Sequence, residues 1–319
     1  MTSAAVSVRG LTRRFGEVVA VEGLSFEVKT GELFGIVGPD GAGKTTTLRM
    51  LAGVMRPSGG DALIRGRSVV SEPEAVKPHI AYMSQRFGLY EDLTVGENIA
   101  FYAELYEVPR SVLPGRLERL YEFSQLAPFE GRLAGDLSGG MKQKLGLCCA
   151  LVHEPDVLLL DEPTFGVDPI SRRDLWLIVH DMVARGTTVI VSTAYMEEAE
   201  RCDRVALMNR GRLVGLDHPR RLHEGLGGEV ISVRVSEPRR AVEWLAGVPH
   251  VRSAALLGDS MRIVLGDGEE AWSSVRTSLE EQGIAVLEAA PARPSLEDVF
   301  VELVERERSG KNPERSGND

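Results

Sequence analysis

Nine consecutive residues, Gly38-Pro39-Asp40-Gly41-Ala42-Gly43-Lys44-Thr45-Thr46, are of the kinds that hold a polyphosphate. Glycines reach backbone angles that a β-carbon forbids, so successive N–H groups can turn inward around phosphate oxygens. Lys44 would reach the outer phosphates of a nucleotide, and the Thr45 hydroxyl would hold Mg²⁺. A second set lies downstream, where the apolar run Val157-Leu158-Leu159-Leu160 ends in Asp161 and Glu162. Carboxylates at the C-terminal end of such a strand sit where open α/β sheets bind ligands. Asp161 would bind Mg²⁺ through water, and Glu162 would orient or deprotonate an attacking water. A glycine loop alone can be a plain turn, and an Asp-Glu pair a solvated one. Together they point to phosphoryl transfer.

Other residues are ambiguous by themselves. Leu137-Ser138-Gly139-Gly140-Met141 leads into a helical run. Ser138 suits an N-cap and the glycines permit close backbone approach, yet Ser-Gly-Gly occurs in many turns. Phe15, in the turn region Arg13-Arg14-Phe15-Gly16, is either a packing aromatic or a stacking platform for a purine ring. Cys148, Cys149 and Cys202 form no C-x-x-C pair, so neither a metal cluster nor a disulfide is expected.

The elements around these residues read as an α/β domain. Leu33–Val37 is a strand entering the glycine loop, and Thr46–Ala52 is the helix leaving it. Shorter β runs precede it, around Val6–Val8 and Leu24–Val28, and residues 60–82 alternate as strands do. From Thr94 to about Leu151 the pattern turns helical. Thr94-Val95-Gly96-Glu97 is a capping box opening a helix over Asn98–Tyr106, and Leu113–Leu126 follows at helical spacing. After Asp161-Glu162 come a turn at Gly166-Val167-Asp168-Pro169, a helix over Ser171–Ala184 and a β-branched strand, Thr187–Thr193. A short helix, Met196–Arg201, and a hairpin around Asn209-Arg210-Gly211 complete this part.

The 319 residues suffice for two domains, and 43% apolar with 26% charged residues is a globular composition. Net charge is −10; residues 229–319 hold 17 acids against 11 bases, and the remainder 30 against 26. With no basic excess in either part, nucleic acid is not an expected partner. The first ten residues lack an apolar signal core. Nothing approaches the roughly 18 apolar residues of a membrane helix. The expectation is a cytoplasmic protein whose membrane component, if it has one, is another chain.

The ordered set of motifs resembles the ATP-binding cassette (ABC) family of transport ATPases over residues 6 to about 222. It comprises the loop at 38–46, Gln85, Leu137-Ser138-Gly139-Gly140, Leu158–Thr164 and Gly166–Pro169. Leu-Ser-Gly-Gly is the most specific of them. The resemblance implies a phosphate-loop ABC cassette with a helical signature subdomain over about 86–152, and ATP with Mg²⁺ as cofactors. It implies two cassettes packed head to tail, as a homodimer or heterodimer, with ATP between them. One would supply the loop, Asp161 and Glu162. The other would supply Ser138, Gly139 and Gly140, whose backbone would face the γ-phosphate. Gln85 would touch the metal and link the site to a membrane permease, Asp168 would lie across the dimer interface, and Phe15 matches the aromatic that stacks on adenine. Glu162, Lys44 and Gln85 are then the catalytic group, and Thr45, Gln85 and Asp161 the metal ligands.

Three positions depart from the family pattern. Asp40 replaces the usual Asn, keeping turn geometry but adding negative charge near phosphates. Met141 replaces a frequent Gln after the signature glycines. Ala194 stands where a histidine normally follows the strand, and alanine has no donor for a γ-phosphate or for Glu162. Neither Tyr195 nor His180, read as a surface residue of the preceding helix, is placed to substitute. The expectation is hydrolysis that is impaired but not abolished.

Glu224–Gly228 reads as a linker within 223–228, and beyond it the order strand (Glu229–Val235), helix (Arg239–Leu245), strand (Val251–Leu257), strand (Met261–Leu265), helix (Glu269–Gln282), strand (Ile284–Ala289) is that of a ferredoxin-like α+β domain. A helix capped by Ser295 presents Leu296, Val299, Phe300 and Leu303 on one face, expected to pack on its own domain. The division is thus a cassette over 1–222, an accessory domain over 229–306 and a disordered polar tail over 307–319. The C-terminal end resembles that of drug-efflux exporter cassettes. The function implied is the ATPase subunit of an ABC exporter, moving a drug- or lipid-like substrate through a separate permease and peripheral on the inner face of the membrane. The alternatives are the catalytically weak half of a heterodimer, which Ala194 favours, and a soluble ABC ATPase acting on ribosomes or DNA. Against the last stand a single cassette, an acidic balance and only 117 positions from Lys44 to Asp161.

Overall fold

The computed structural model describes residues 4–85, 88–266 and 271–308. By packing, the chain divides into two compact units. The first holds the chain to Tyr195 with Cys202–Arg204 and Met208–Leu213; the second holds Met196–Arg201, Val205–Leu207 and everything from Val214.

In chain order the cassette runs β1 (Ala4–Phe15), β2 (Val18–Lys29), β3 (Leu33–Val37), α1 (Lys44–Leu51), β4 (Gly59–Ile64), β5 (Arg67–Ser68), α2 (Pro73–Val76) and β6 (Ile80–Met83). Then come α3 (Val95–Leu105), α4 (Leu113–Ser124), α5 (Gly139–Leu151), β7 (Val157–Asp161), α6 (Pro169–Ala184), β8 (Thr188–Thr193), α7 (Met196–Ala199), β9 (Arg204–Asn209) and β10 (Arg212–Asp217). One sheet is antiparallel, in the order β2-β1-β4-β5. The other has six strands, β10-β9-β3-β8-β7-β6, with β3, β8, β7 and β6 parallel.

The parallel strands explain the site's position. Every residue of β3, β7 and β8 is buried, as expected of strands covered on both faces. Their C-terminal ends therefore align: Val37, Asp161 and Thr193 finish side by side, with Val37 opposite Thr193 and Asp161 opposite Ser192. The glycine loop follows the first of these ends and the two carboxylates mark the second. Val18–Lys29 packs Phe26 on Phe34 of β3, ring centroids 5.1 Å apart. α3 opens with the full capping box, Glu97 N–H on the Thr94 hydroxyl and Thr94 N–H on the Glu97 carboxylate.

The second unit continues with α8 (Pro219–Leu226), β11 (Glu229–Val235), α9 (Pro238–Leu245), β12 (Val251–Leu257), β13 (Ser260–Leu265), α10 (Ala271–Glu281), β14 (Val286–Ala292) and α11 (Leu296–Arg308). Its sheet is antiparallel in the order β12-β13-β11-β14, the ferredoxin-like arrangement. Ile231, Val233, Met261, Ile263, Val275 and Leu279 form its core with α9 and α10. α11 buries Leu296 and Val299, and Leu303 reaches within 2.9 Å of where a β-carbon on Gly215 would stand. Two of its acids meet arginines of the sheet, Asp298 with Arg262 and Glu302 with Arg252, and Glu302 also pairs with Arg306 one turn along the helix.

Some boundaries differ from expectation. α8 runs to Leu226, taking in the first three residues of the segment read as linker. α11 continues to Arg308, two residues past the expected end of the domain, helped by the Glu302–Arg306 pair one turn apart. The rest of the expected tail, 309–319, lies outside the described residues, as do residues 269 and 270 of the expected helix. Among the described residues no helix is long and apolar enough to cross a membrane.

Candidate functional site

The loop after β3 is shaped by two close approaches. A β-carbon on Gly38 would lie 2.2 Å from the Met208 carbonyl oxygen, and one on Gly43 would lie 2.6 Å from the Ala20 carbonyl oxygen. Gly43 also has φ +100° and caps α1 without a side-chain hydrogen bond. The first turn of α1 carries no acid, so its backbone N–H groups and positive dipole end are available to an anion. Lys44 is 4% exposed; its Nζ donates to Gly38 O at 2.7 Å and Pro39 O at 3.1 Å.

The end of β7 supplies the acids, and the end of β8 holds them. Asp161 is 1% exposed and accepts three hydroxyl hydrogen bonds. Ser192 Oγ at 2.7 Å and Thr45 Oγ1 at 3.0 Å donate to its Oδ1, and Tyr82 OH at 3.2 Å donates to its Oδ2. Burial, followed by the Asp161 charge, pushes the Tyr82 phenol up to about 12. Glu162 sits at φ +48°, a left-handed angle that costs a non-glycine residue roughly 1–2 kcal/mol. Its N–H donates to Ser192, to Oγ at 3.0 Å and to the carbonyl at 3.2 Å. Its carboxylate meets Lys44 Nζ at 3.0 Å through Oε1 and accepts from Gln85 Nε2 at 3.1 Å through Oε2.

These groups converge on one cleft of about 430 Å³, lined by residues 40–46 with Ala20, Gln85, Glu162 and Phe165. Gly38 and Pro39 stand behind it, holding Lys44. Sequence reasoning missed Ala20, Phe165 and Ser192. Phe165, 57% exposed, is an aromatic left on the surface beside the carboxylates, a signal readable only with that neighbourhood known.

The other expected residues lie apart from the cleft. Phe15 ends β1, 44% exposed, with the Arg13 guanidinium 4.6 Å from its ring centroid. Ser138 caps α5, accepting from Met141 N at 3.3 Å. Asp168 caps α6, and the Ser171 N–H and hydroxyl hold its carboxyl below the usual range. The two caps are neighbours, because a β-carbon on Gly140 would lie 2.2 Å from Ser171 Oγ, whereas Gly139 faces open space. The loop-and-carboxylate set and the Ser-Gly-Gly set are thus two separate surfaces of one unit.

Ala194 is exposed beyond the end of β8, and Tyr195 does not replace the absent imidazole: the Arg172 guanidinium lies over its ring at 4.8 Å. His180 is exposed on α6, 6.0 Å from the Trp176 ring. For Mg²⁺, Thr45 Oγ1, which lines the cleft, and the buried Asp161 Oδ1, 3.0 Å from it, are hard oxygen donors and fit that ion. One would coordinate directly and the other through water.

Comparison with known proteins places the chain in a family. Residues 21–165 match the family described as ABC transporter, and residues 218–304 match the ATP-binding protein DrrA1-3-like, C-terminal domain. The chain is 41% identical over 98% of its length to the probable multidrug ABC transporter ATP-binding protein YbhF of Escherichia coli (strain K12), spanning only 54% of that relative. It is 35% identical to the Nod factor export ATP-binding protein I of Rhizobium sp. (strain N33), over 96% of this chain and 99% of the relative. A solved ATP binding subunit of an ABC transporter superposes with TM-score 0.64 at 29% identity, covering 69% of this chain and 92% of that one. The fold is also that of the cassette MJ0796, solved as a dimer bound to ADP and Pi (TM-score 0.61, 23% identity, 67% of this chain and 98% of that one). The chain belongs to the ABC transporter family, as an ATP-binding protein with a DrrA-like C-terminal domain.

Proposed function

We propose that the chain is the ATPase subunit of an exporter, hydrolysing ATP with Mg²⁺ to drive a drug- or lipid-like molecule through a separate membrane permease. The observation that carries this is the convergence of Lys44, Thr45, Gln85 and Glu162 on one cleft, with the buried Asp161 hydrogen-bonded to Thr45 behind it. The backbone of residues 40–46 and Lys44 bind the phosphates. Thr45 and Asp161 hold the ion, whose charge offsets that of the phosphates. Glu162, pinned between Lys44 and Gln85, orients and deprotonates the attacking water. Gln85 is exposed, so it can report the state of the site to a permease at the inner face of the membrane. Ser138, Gly139 and Asp168, which do not line the cleft, serve a second cassette in this reading. Phe15 stacks on the adenine. The names of the relatives, multidrug and Nod factor export, support an exporter with amphipathic cargo.

The test is steady-state ATP turnover of the purified chain with Mg²⁺, with Glu162→Gln as the blank. Turnover above the blank is expected, rising more than linearly with protein concentration. Turnover equal to the blank, with ATP still bound, would make the chain the catalytically weak partner of a histidine-bearing cassette.

A further inference from the structure

We propose that Ser192 is a positioning residue that ties both carboxylates of the site to the end of β8. The inference rests on the hydrolytic reading above and assigns a role to a residue outside the loop, signature and carboxylate motifs. Ser192 is fully buried and faces Asp161 across the parallel pair of β7 and β8. A hydroxyl has one proton and two acceptor positions. Here the proton goes to Asp161 Oδ1 at 2.7 Å, and the oxygen accepts the Glu162 N–H at 3.0 Å.

Each bond constrains a different part of the site. The first fixes which carboxylate oxygen of Asp161 turns toward Thr45, because Ser192 Oγ and Thr45 Oγ1 share Oδ1. Tyr82 holds the other oxygen. The second bond holds the Glu162 backbone at its left-handed angle, and so aims its carboxylate at Lys44 and Gln85. At the end of β8 the next outward position is Ala194, which has nothing to offer. The hydroxyl of Ser192 then links β8 to Glu162 beside a backbone bond.

The experiment compares the full chain with Ser192→Ala, Ser192→Thr and Glu162→Gln. It measures equilibrium binding of ATP without Mg²⁺, the Mg²⁺ concentration that half-maximally tightens that binding, and kcat. Losing a residue that orients a metal ligand typically lowers metal affinity or activity about 10- to 100-fold. Ser192→Ala should lower kcat about 10-fold and raise the Mg²⁺ requirement several-fold, with Mg²⁺-free ATP affinity within about twofold of the native chain. Ser192→Thr, which keeps the hydroxyl, should recover most of both losses. The proposal is overturned if Ser192→Ala leaves kcat and the Mg²⁺ requirement within twofold of native. It is equally overturned if Mg²⁺-free ATP binding falls as far as kcat, or if threonine fails to rescue while binding ATP normally. Should the native chain turn over no faster than Glu162→Gln, the hydrolytic reading fails, and the Mg²⁺ effect on ATP binding still decides the role of Ser192 at Asp161.

Discussion

Arg262→Met should destabilise the C-terminal unit by about 3 kcal/mol, near the low end for breaking a buried ion pair. Arg262 and Asp298 have side chains 15% and 4% exposed and meet bidentately, Nε to Oδ1 at 2.7 Å and Nη2 to Oδ2 at 2.6 Å. Asp298 also accepts the Ser295 N–H and hydroxyl, each at 2.8 Å. Removing Arg262 leaves a buried carboxylate with only the serine, which is why the loss falls at the low end and not at roughly 5 kcal/mol. In a unit of this size that corresponds to a melting point lower by roughly 12 °C or more. Unfolding can be followed by the fluorescence of Trp244, whose indole donates to Ser278 Oγ at 2.9 Å. Arg262→Met/Asp298→Leu should recover most of the loss, since no uncompensated charge remains. A single-variant loss under about 1 kcal/mol, the size of an exposed pair, would refute the reasoning, as would a double variant no more stable than the single. There is a pH signature as well. Burial opposes the Asp298 charge, but hydrogen bonds from Arg262 and Ser295 outweigh it and hold the carboxyl below its usual range. The pair's contribution is therefore present above the unfolded carboxyl value of about 4 and is lost as pH falls below it. The stability gap between the native chain and Asp298→Asn should narrow in that direction.

Three further outcomes follow from the cassette. Gly38→Ala drives a β-carbon to 2.2 Å from the Met208 carbonyl, so the loop must shift and ATP binding should weaken more than about tenfold, as equilibrium titration would show. Gly140→Ala places a methyl 2.2 Å from Ser171 Oγ and should cost about 1–3 kcal/mol of stability, with the added variant Ser171→Gly restoring the melting point. Ala194→His adds the absent donor at an exposed strand end, so kcat should rise on the order of tenfold, below the 10²–10³ of a buried oxyanion donor; unchanged turnover would show that the missing imidazole does not limit this site.

Elements with one dominant pattern were legible in the amino-acid order. β11 and β12 occupy the residues expected, 229–235 and 251–257, and α3 starts at its capping box. Where tertiary contacts override local pattern, the reading fell short. β1 and β2 are 12 residues each and not the short runs expected, because register shifts around Gly10 and Gly23 interrupt the alternation without ending the pairing. Phe15 accordingly ends a strand. β14 begins two residues late, since Ile284 is fully buried and its N–H bonds back to Leu279 O, and it continues through Pro291, which an edge strand tolerates. In the site, loop, carboxylates and Gln85 were legible because each is marked by a motif. Ser192 was not. It lies inside a β-branched run, and only the register of β7 against β8 sets its hydroxyl between two acids. The capping role of Asp168 was likewise hidden behind its expected place at a dimer interface.

In the proposed function, ATP is hydrolysed at a site completed by two copies, the cleft of one and the Gly139 surface of the other. Lys44→Ala removes the buried ammonium proposed to bind phosphate, and Gly139→Asp fills open space at the signature surface without touching the cleft. Each variant alone should be inactive. Mixed in equal amounts, they should recover roughly a quarter of native turnover, since half the pairs are mixed and each mixed pair has one intact site. No recovery on mixing, with the native chain active, would contradict the account.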